Sequence, residues 1–148
     1  ANNVARSLAL ACGKLGMDFR IAAPEGYQFD ESFQEDVHRV IAKTGSTLAM
    51  TTSPREAATA ADVLYTDTWV SMGQEEEARR RMKAFEGYCI DGDMVDLASE
   101  DCIVMHCLPA HRGNEVTDDV IEGTHSAVFD QAENRLHTQR ALLQTLLQ

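Results

Sequence analysis

Short apolar runs alternate with helix-length amphipathic segments along this chain, and that alternation leaves few folds open. Met17, Phe19, Ile21 and Ala23 alternate with Asp18, Arg20 and Ala22, a strand pattern closed by Pro24-Glu25-Gly26. Further short runs are Thr47 to Thr51, Asp62-Val63-Leu64-Tyr65-Thr66, Cys102-Ile103-Val104-Met105 and Ala127-Val128-Phe129, with a lesser element at Tyr88 to Ile90. The intervening segments carry helical spacing. Strands joined by helical crossovers pair in parallel.

The pattern predicts an α/β fold: a parallel sheet with helices on both faces, a Rossmann-like three-layer domain spanning residues 1–148. Ala1-Asn2-Asn3 runs directly into a helical pattern, so the first strand of such a domain is expected to be missing. Val4, Leu8, Ala11, Cys12 and Leu15 mark the first helix, with Asn2 or Asn3 as cap and Gly16 past its end. Asp30 caps a second helix through Phe33, Val37, Val40 and Ile41 to Gly45, and Ser53-Pro54 opens a third. Later helices are expected from about Gln74 to Phe85, near Met94 to Ala98, near Asp118, and from Gln131 to Leu147.

Ser71-Met72-Gly73-Gln74 has the form of a capping box. Glu75, Glu76 and Glu77 stand four residues ahead of Arg79, Arg80 and Arg81, so the charge run reads best as a solvated helix and the arginines are weak candidates for a phosphate site. Asp and Glu number 24 against 13 Lys and Arg, a formal charge of −11. That balance argues against nucleic acid and anionic membranes, both of which need clustered positive charge. No apolar run approaches the roughly 20 residues that span a bilayer. The four cysteines form no Cys-x-x-Cys pair, and with no signal peptide they point to reduced thiols in a cytoplasmic setting.

Chemistry concentrates at two strand ends. His106-Cys107-Leu108-Pro109 follows the run ending at Met105, and Asp67-Thr68-Trp69-Val70-Ser71-Met72-Gly73 follows the run ending at Thr66. Ligands of parallel α/β sheets bind outside the carboxyl ends of the strands, so both loops point to one shared crevice. Asp67 is either a partner for a ligand ammonium or a cap for local amides. Cys107 is either a small buried hydrophobe or a weak polar contact or proton acceptor facing the crevice. His106, Cys107 and His111 lack the paired spacing of a metal site, and no metal is expected. Arg135 is either a surface residue or, near the first turn of the last helix, a reach over the sheet edge to a carbonyl or phosphate oxygen. Asn3 is a cap or a ligand amide. No Gly-x-Gly-x-x-Gly turn supports a dinucleotide site.

Asp67-Thr68-Trp69-Val70-Ser71-Met72-Gly73, His106-Cys107-Leu108-Pro109 and Ala132-Glu133-Asn134-Arg135, in this order, resemble the ornithine-binding half of ornithine carbamoyltransferases across essentially the whole chain. Ala1-Asn2-Asn3 is similar to the end of that family's Gly-Asp-Gly-Asn-Asn segment. The resemblance implies transfer of a carbamoyl group from carbamoyl phosphate to the δ-amine of L-ornithine, giving citrulline and phosphate, without metal or organic cofactor. By matching motif, Asn3, Asp67, Ser71 and Met72 would hold the amino-acid end of ornithine. Cys107 would sit beside the δ-amine and help remove its proton, supported by Asp67. Leu108 would offer its carbonyl ahead of a cis bond to Pro109, and Arg135 would contact the carbamoyl oxygen. The Ser71-Met72-Gly73 loop would close over ornithine.

The resemblance also implies an amino-terminal carbamoyl phosphate domain with a Ser-x-Arg-Thr-Arg segment, and a homotrimer or larger assembly. This sequence holds no such segment. The 148 residues alone are therefore expected to be inert, and the missing first strand, whose partners would be exposed, is expected to make them poorly stable. The rival expectation is an α/β module that binds a cationic amino acid or a partner protein without catalysis; retention of Cys107 and Arg135 counts against it.

Overall fold

The computed structural model describes residues 2–70 and 77–148. Its elements are α1 (Asn3–Leu15), β1 (Phe19–Ala22), α2 (Glu31–Ile41), β2 (Leu48–Thr51), α3 (Pro54–Ala58), β3 (Val63–Thr66), α4 (Ala78–Ala84), α5 (Gly92–Val95), β4 (Ile103–His106), α6 (Asp118–Ile121) and α7 (Val128–Leu146). The fold is mixed α/β with parallel strand pairing, organised as two compact units, Ala1–Ala57 and Ala58–Gln148.

In the first unit, β1 and β2 run parallel from Phe19↔Leu48 to Ala22↔Thr51. Asp18 Oδ1 accepts both the backbone N–H and the hydroxyl of Thr47 at 2.8 Å, which ties the strand starts together. Asn2 caps α1 by accepting from the Ala5 N–H at 3.0 Å, and Gly16, at φ 75°, ends it. Asp30 accepts from the Phe33 N–H at 2.9 Å and pairs with Arg6, whose guanidinium lies 4.6 Å from the Phe33 ring centre.

The inward face of α1 is shifted from the expected one. Ala9 and Gly13 are buried, while Ala11 and Leu15 are exposed. The cause is the missing side chain at Gly13, where α2 comes so close that an added Cβ would lie 3.0 Å from Ile41 Cγ2. The core around Ala9 is completed by Phe29, Phe33 and Val37. Met17 is exposed and donates its N–H to the Cys12 carbonyl, so β1 begins at Phe19 and not at Met17.

In the second unit, β3 and β4 pair in parallel from Val63↔Ile103 to Thr66↔His106. Leu64, Val104, Val116, Ile121 and Val128 form the centre of its core. The strand expected at Ala127-Val128-Phe129 is absent: Val104 makes one bridge to Ser126, and Val128 already opens α7. Two β-prone residues, Val128 and Phe129, are outweighed by the helical pattern that follows them, and the Gln131 N–H already donates to the Ala127 carbonyl at 2.8 Å. The expected start of α4 at Gln74 lies outside the described residues. Of its three expected charge pairs, Glu77–Arg81 is seen at 3.2 Å, and the other two involve Glu75 and Glu76, also outside them. Among the described residues, no helix is long and apolar enough to cross a membrane.

Candidate functional site

Register builds the site. Thr66 pairs with His106, so the next residues, Asp67 and Cys107, leave the sheet side by side at its carboxyl edge. Cys107 Sγ donates to Asp67 Oδ1 at 2.7 Å, and the same oxygen accepts the Thr68 N–H at 2.7 Å. Of the two expectations for Asp67, the cap on a local amide is the one observed, and the same oxygen also accepts from the second loop.

Burial, followed by the hydrogen bond to Asp67 and its negative charge, pushes the Cys107 thiol up to about 12. The thiol therefore holds its proton, and Asp67 is the acceptor of the pair. Burial likewise raises the Tyr65 phenol beside them. Cys12, Cys89 and Cys102 are also raised, burial leading in each case. Among the described residues no thiol is set up as a thiolate nucleophile.

Strand alternation sends His106 the other way, into the core, where it is 1% exposed. Its Nδ1 accepts the Leu108 N–H at 2.8 Å. That bond requires a lone pair on Nδ1, so Nε2 carries the hydrogen and donates it to Glu115 Oε1 at 3.1 Å. Leu108 sits at φ 54°, and its bond to Pro109 is cis. Gln131, in the first turn of α7, bridges the two strands: its Oε1 accepts the His106 N–H and its Nε2 donates to the Tyr65 hydroxyl, both at 3.1 Å.

Helix α7 runs in the same sense as β4, meeting it first at Val104 through Ala127 and then at His106 through Gln131. Arg135 lies on the Gln131 face, one turn or about 6 Å further on, beyond the strand end. Because α7 begins at Val128, Arg135 stands two turns inside the helix and not near its first turn, and it is exposed.

The structure thus brings Asp67, Cys107 and Leu108 together. Asn3 belongs to the first unit, exposed on the opening turn of α1, where Asn2 is the cap. Ser71 and Met72 lie outside the described residues. Sequence reasoning missed Tyr65, Glu115 and Gln131. Gln131 carried a signal, four residues ahead of Arg135 on one helix face; Glu115 carried none, because Asn114-Glu115-Val116 has the form of any loop. Among the described residues no three His, Cys, Asp or Glu side chains converge as a metal ion would require.

Residues 1–146 match the Asp/Orn-binding domain of the aspartate/ornithine carbamoyltransferases. The chain is 51% identical to the ornithine carbamoyltransferase of Geobacter metallireducens over 146 residues, covering 99% of this chain and 47% of that protein. It is similar to the solved ornithine carbamoyltransferase of Pyrococcus furiosus, with 51% identity, a TM-score of 0.89, and 96% and 45% of the two chains covered. The anabolic enzyme of Campylobacter jejuni gives 37% identity and a TM-score of 0.90, with 95% and 46% covered. The chain spans about half the length of these relatives. By the match over nearly all its residues, this chain belongs to the aspartate/ornithine carbamoyltransferase family, as its Asp/Orn-binding domain.

Proposed function

We propose that this chain supplies the ornithine-binding half of an ornithine carbamoyltransferase, which moves the carbamoyl group of carbamoyl phosphate to the δ-amine of L-ornithine. The Asp67–Cys107 pair at the carboxyl ends of β3 and β4 carries this reading. A δ-ammonium must lose a proton before it can attack, and a carboxylate beside a protonated thiol offers a place for it. As the δ-ammonium gives a proton to Sγ and becomes the amine, the thiol hydrogen passes to Asp67 Oδ1, and no charge builds on sulfur. The amine nitrogen then bonds to the carbamoyl carbon while the bond from that carbon to the phosphate oxygen breaks. The second amine proton leaves with phosphate.

The remaining roles follow the resemblance. Asn3, Asp67, Ser71 and Met72 hold the amino-acid end; the Leu108 carbonyl accepts from the δ-amine; Arg135 meets the growing charge on the carbamoyl oxygen. The position of Arg135 one turn beyond Gln131 supports the last of these. The complete protein on this reading is a cytoplasmic homotrimer or larger assembly that uses no cofactor, with partners limited to its two substrates and its own copies.

The test is citrulline formation by this chain combined with the amino-terminal half, against Cys107→Ala and Asp67→Ala versions. Activity in the combination, lost by about 100-fold or more in Asp67→Ala, is the expected result. Ornithine binding without citrulline would favour the binding module instead.

A further inference from the structure

We propose that Glu115 is a positioning residue for the carbamoyl-transfer site, acting through His106 and the His111 backbone on the Cys107–Leu108 turn. This rests on the functional reading above. Glu115 is 1% exposed. A carboxylate so buried is costly unless its oxygens are bonded, and here one oxygen gathers both donors: Oε1 accepts His106 Nε2–H at 3.1 Å and the His111 N–H at 2.6 Å. Those donors stand at the two ends of the turn that contains Cys107, Leu108 and the cis bond to Pro109. The carboxylate closes that turn as a clasp closes a loop.

The clasp is anchored to the core and not to the site. Ile90 N–H donates to the Glu115 carbonyl at 3.0 Å, Thr117 N–H donates to the Ile90 carbonyl at 3.1 Å, and Val116 between them is fully buried. From there the order passes outward in defined steps. Glu115 takes the Nε2 hydrogen of His106, which leaves the Nδ1 lone pair for the Leu108 N–H. A hydrogen on Nδ1 would set two donors face to face and release Leu108 from φ 54°. The Cys107 thiol and the Leu108 carbonyl, which meet the δ-amine in the proposed reaction, would then lose their placement. A carboxylate that fixes the tautomer and ring of a histidine is a recurring way to orient a group one bond further on.

Glu115→Ala and Glu115→Gln are made in the complete carbamoyltransferase containing this chain. Each is assayed for citrulline against ornithine concentration, with a thermal melt alongside. Glu115→Ala is expected to lower kcat by about tenfold to 100-fold, the scale of a small misplacement, with KM for ornithine within about threefold. Glu115→Gln keeps an acceptor oxygen and is expected to return kcat to within about threefold of the parent. If both variants melt earlier while kcat per folded site stays within about twofold, the role is structural only and the inference fails. Should Glu115→Ala not fold, the nitrogen spectrum of the 15N-histidine-labelled parent decides, with His106→Asn assigning the signal. An unprotonated Nδ1 and protonated Nε2 are expected; a protonated Nδ1 overturns the inference. A parent that makes no citrulline sinks the functional reading, whereas a citrulline-forming enzyme indifferent to Glu115 sinks this inference alone.

Discussion

Cys107 Sγ gives its hydrogen to Asp67 Oδ1 across 2.7 Å, from a residue 40 positions away in sequence. The direction of that bond matters, because it puts the vacant proton site on the carboxylate and not on the sulfur. An ordinary thiol ionises near 9.0, and this one is pushed to about 12 by burial and then by its acceptor. Iodoacetamide, which reacts with thiolates, should therefore modify Cys107 faster in Asp67→Asn than in the parent at the same pH. Equal rates would contradict the arrangement.

The same shift has a consequence for stability. The folded state holds the Cys107 proton more tightly than the unfolded chain does, so its contribution is fully present below pH 9.0 and is lost as pH rises towards about 12. Urea midpoints followed across that window should fall less steeply in Cys107→Ala than in the parent.

Asp30 shows the opposite sign. Its carboxyl lies below the ordinary value of 3.8, held down first by the Arg6 guanidinium and then by the Phe33 N–H. Its contribution is present above that value and is lost as pH falls through the lowered one. Asp30→Asn should be less stable than the parent at neutral pH, and the gap should close in acid. A gap that persists in strong acid would assign the effect to something other than charge.

Gly13 is required by the approach of α1 to α2, where an added Cβ already meets Ile41 Cγ2 at 3.0 Å and Val40 Cγ1 at 3.3 Å. Gly13→Leu should force the helices apart and cost about 2 kcal/mol in a denaturant titration, more than the gain in helix propensity returns. An unchanged midpoint would show that α2 yields freely.

Gln131 serves two partners that no other described residue joins, the His106 N–H and the Tyr65 hydroxyl. Gln131→Ala leaves both short of a bond and should cost about 1–3 kcal/mol. Amide exchange at His106 should quicken at the same time, and exchange that stays slow would place its protection elsewhere.

What the chain disclosed beforehand was chemistry complete within a few residues. Asn2 and Asp30 cap helices by bonding three residues ahead, and Gly16 ends one by its own left-handed geometry; each is written in its immediate neighbours. The loops after Thr66 and Met105 were legible because apolar runs stop there, although β4 itself takes in His106. The inward face of α1 was not, since it depends on how closely a second helix approaches a residue with no side chain. Ala127-Val128-Phe129 misled because β-prone residues can open a helix when its later turns are strong enough. Glu115 was invisible for another reason. Its two donors, His106 and His111, lie upstream of it, and only the folded turn brings them to one oxygen.

The shared direction of β4 and α7 gives the helix a phase. Gln131 locks the zero mark of that phase to the strand, and each residue after it advances the bearing by about 100° and the reach by about 1.5 Å. Ala132, Glu133 and Asn134 can then change identity without moving Arg135, but removing any one of them would swing the guanidinium by over a quarter of a circle. Spacing between these two residues, more than the chemistry of what fills it, is what the fold has to keep.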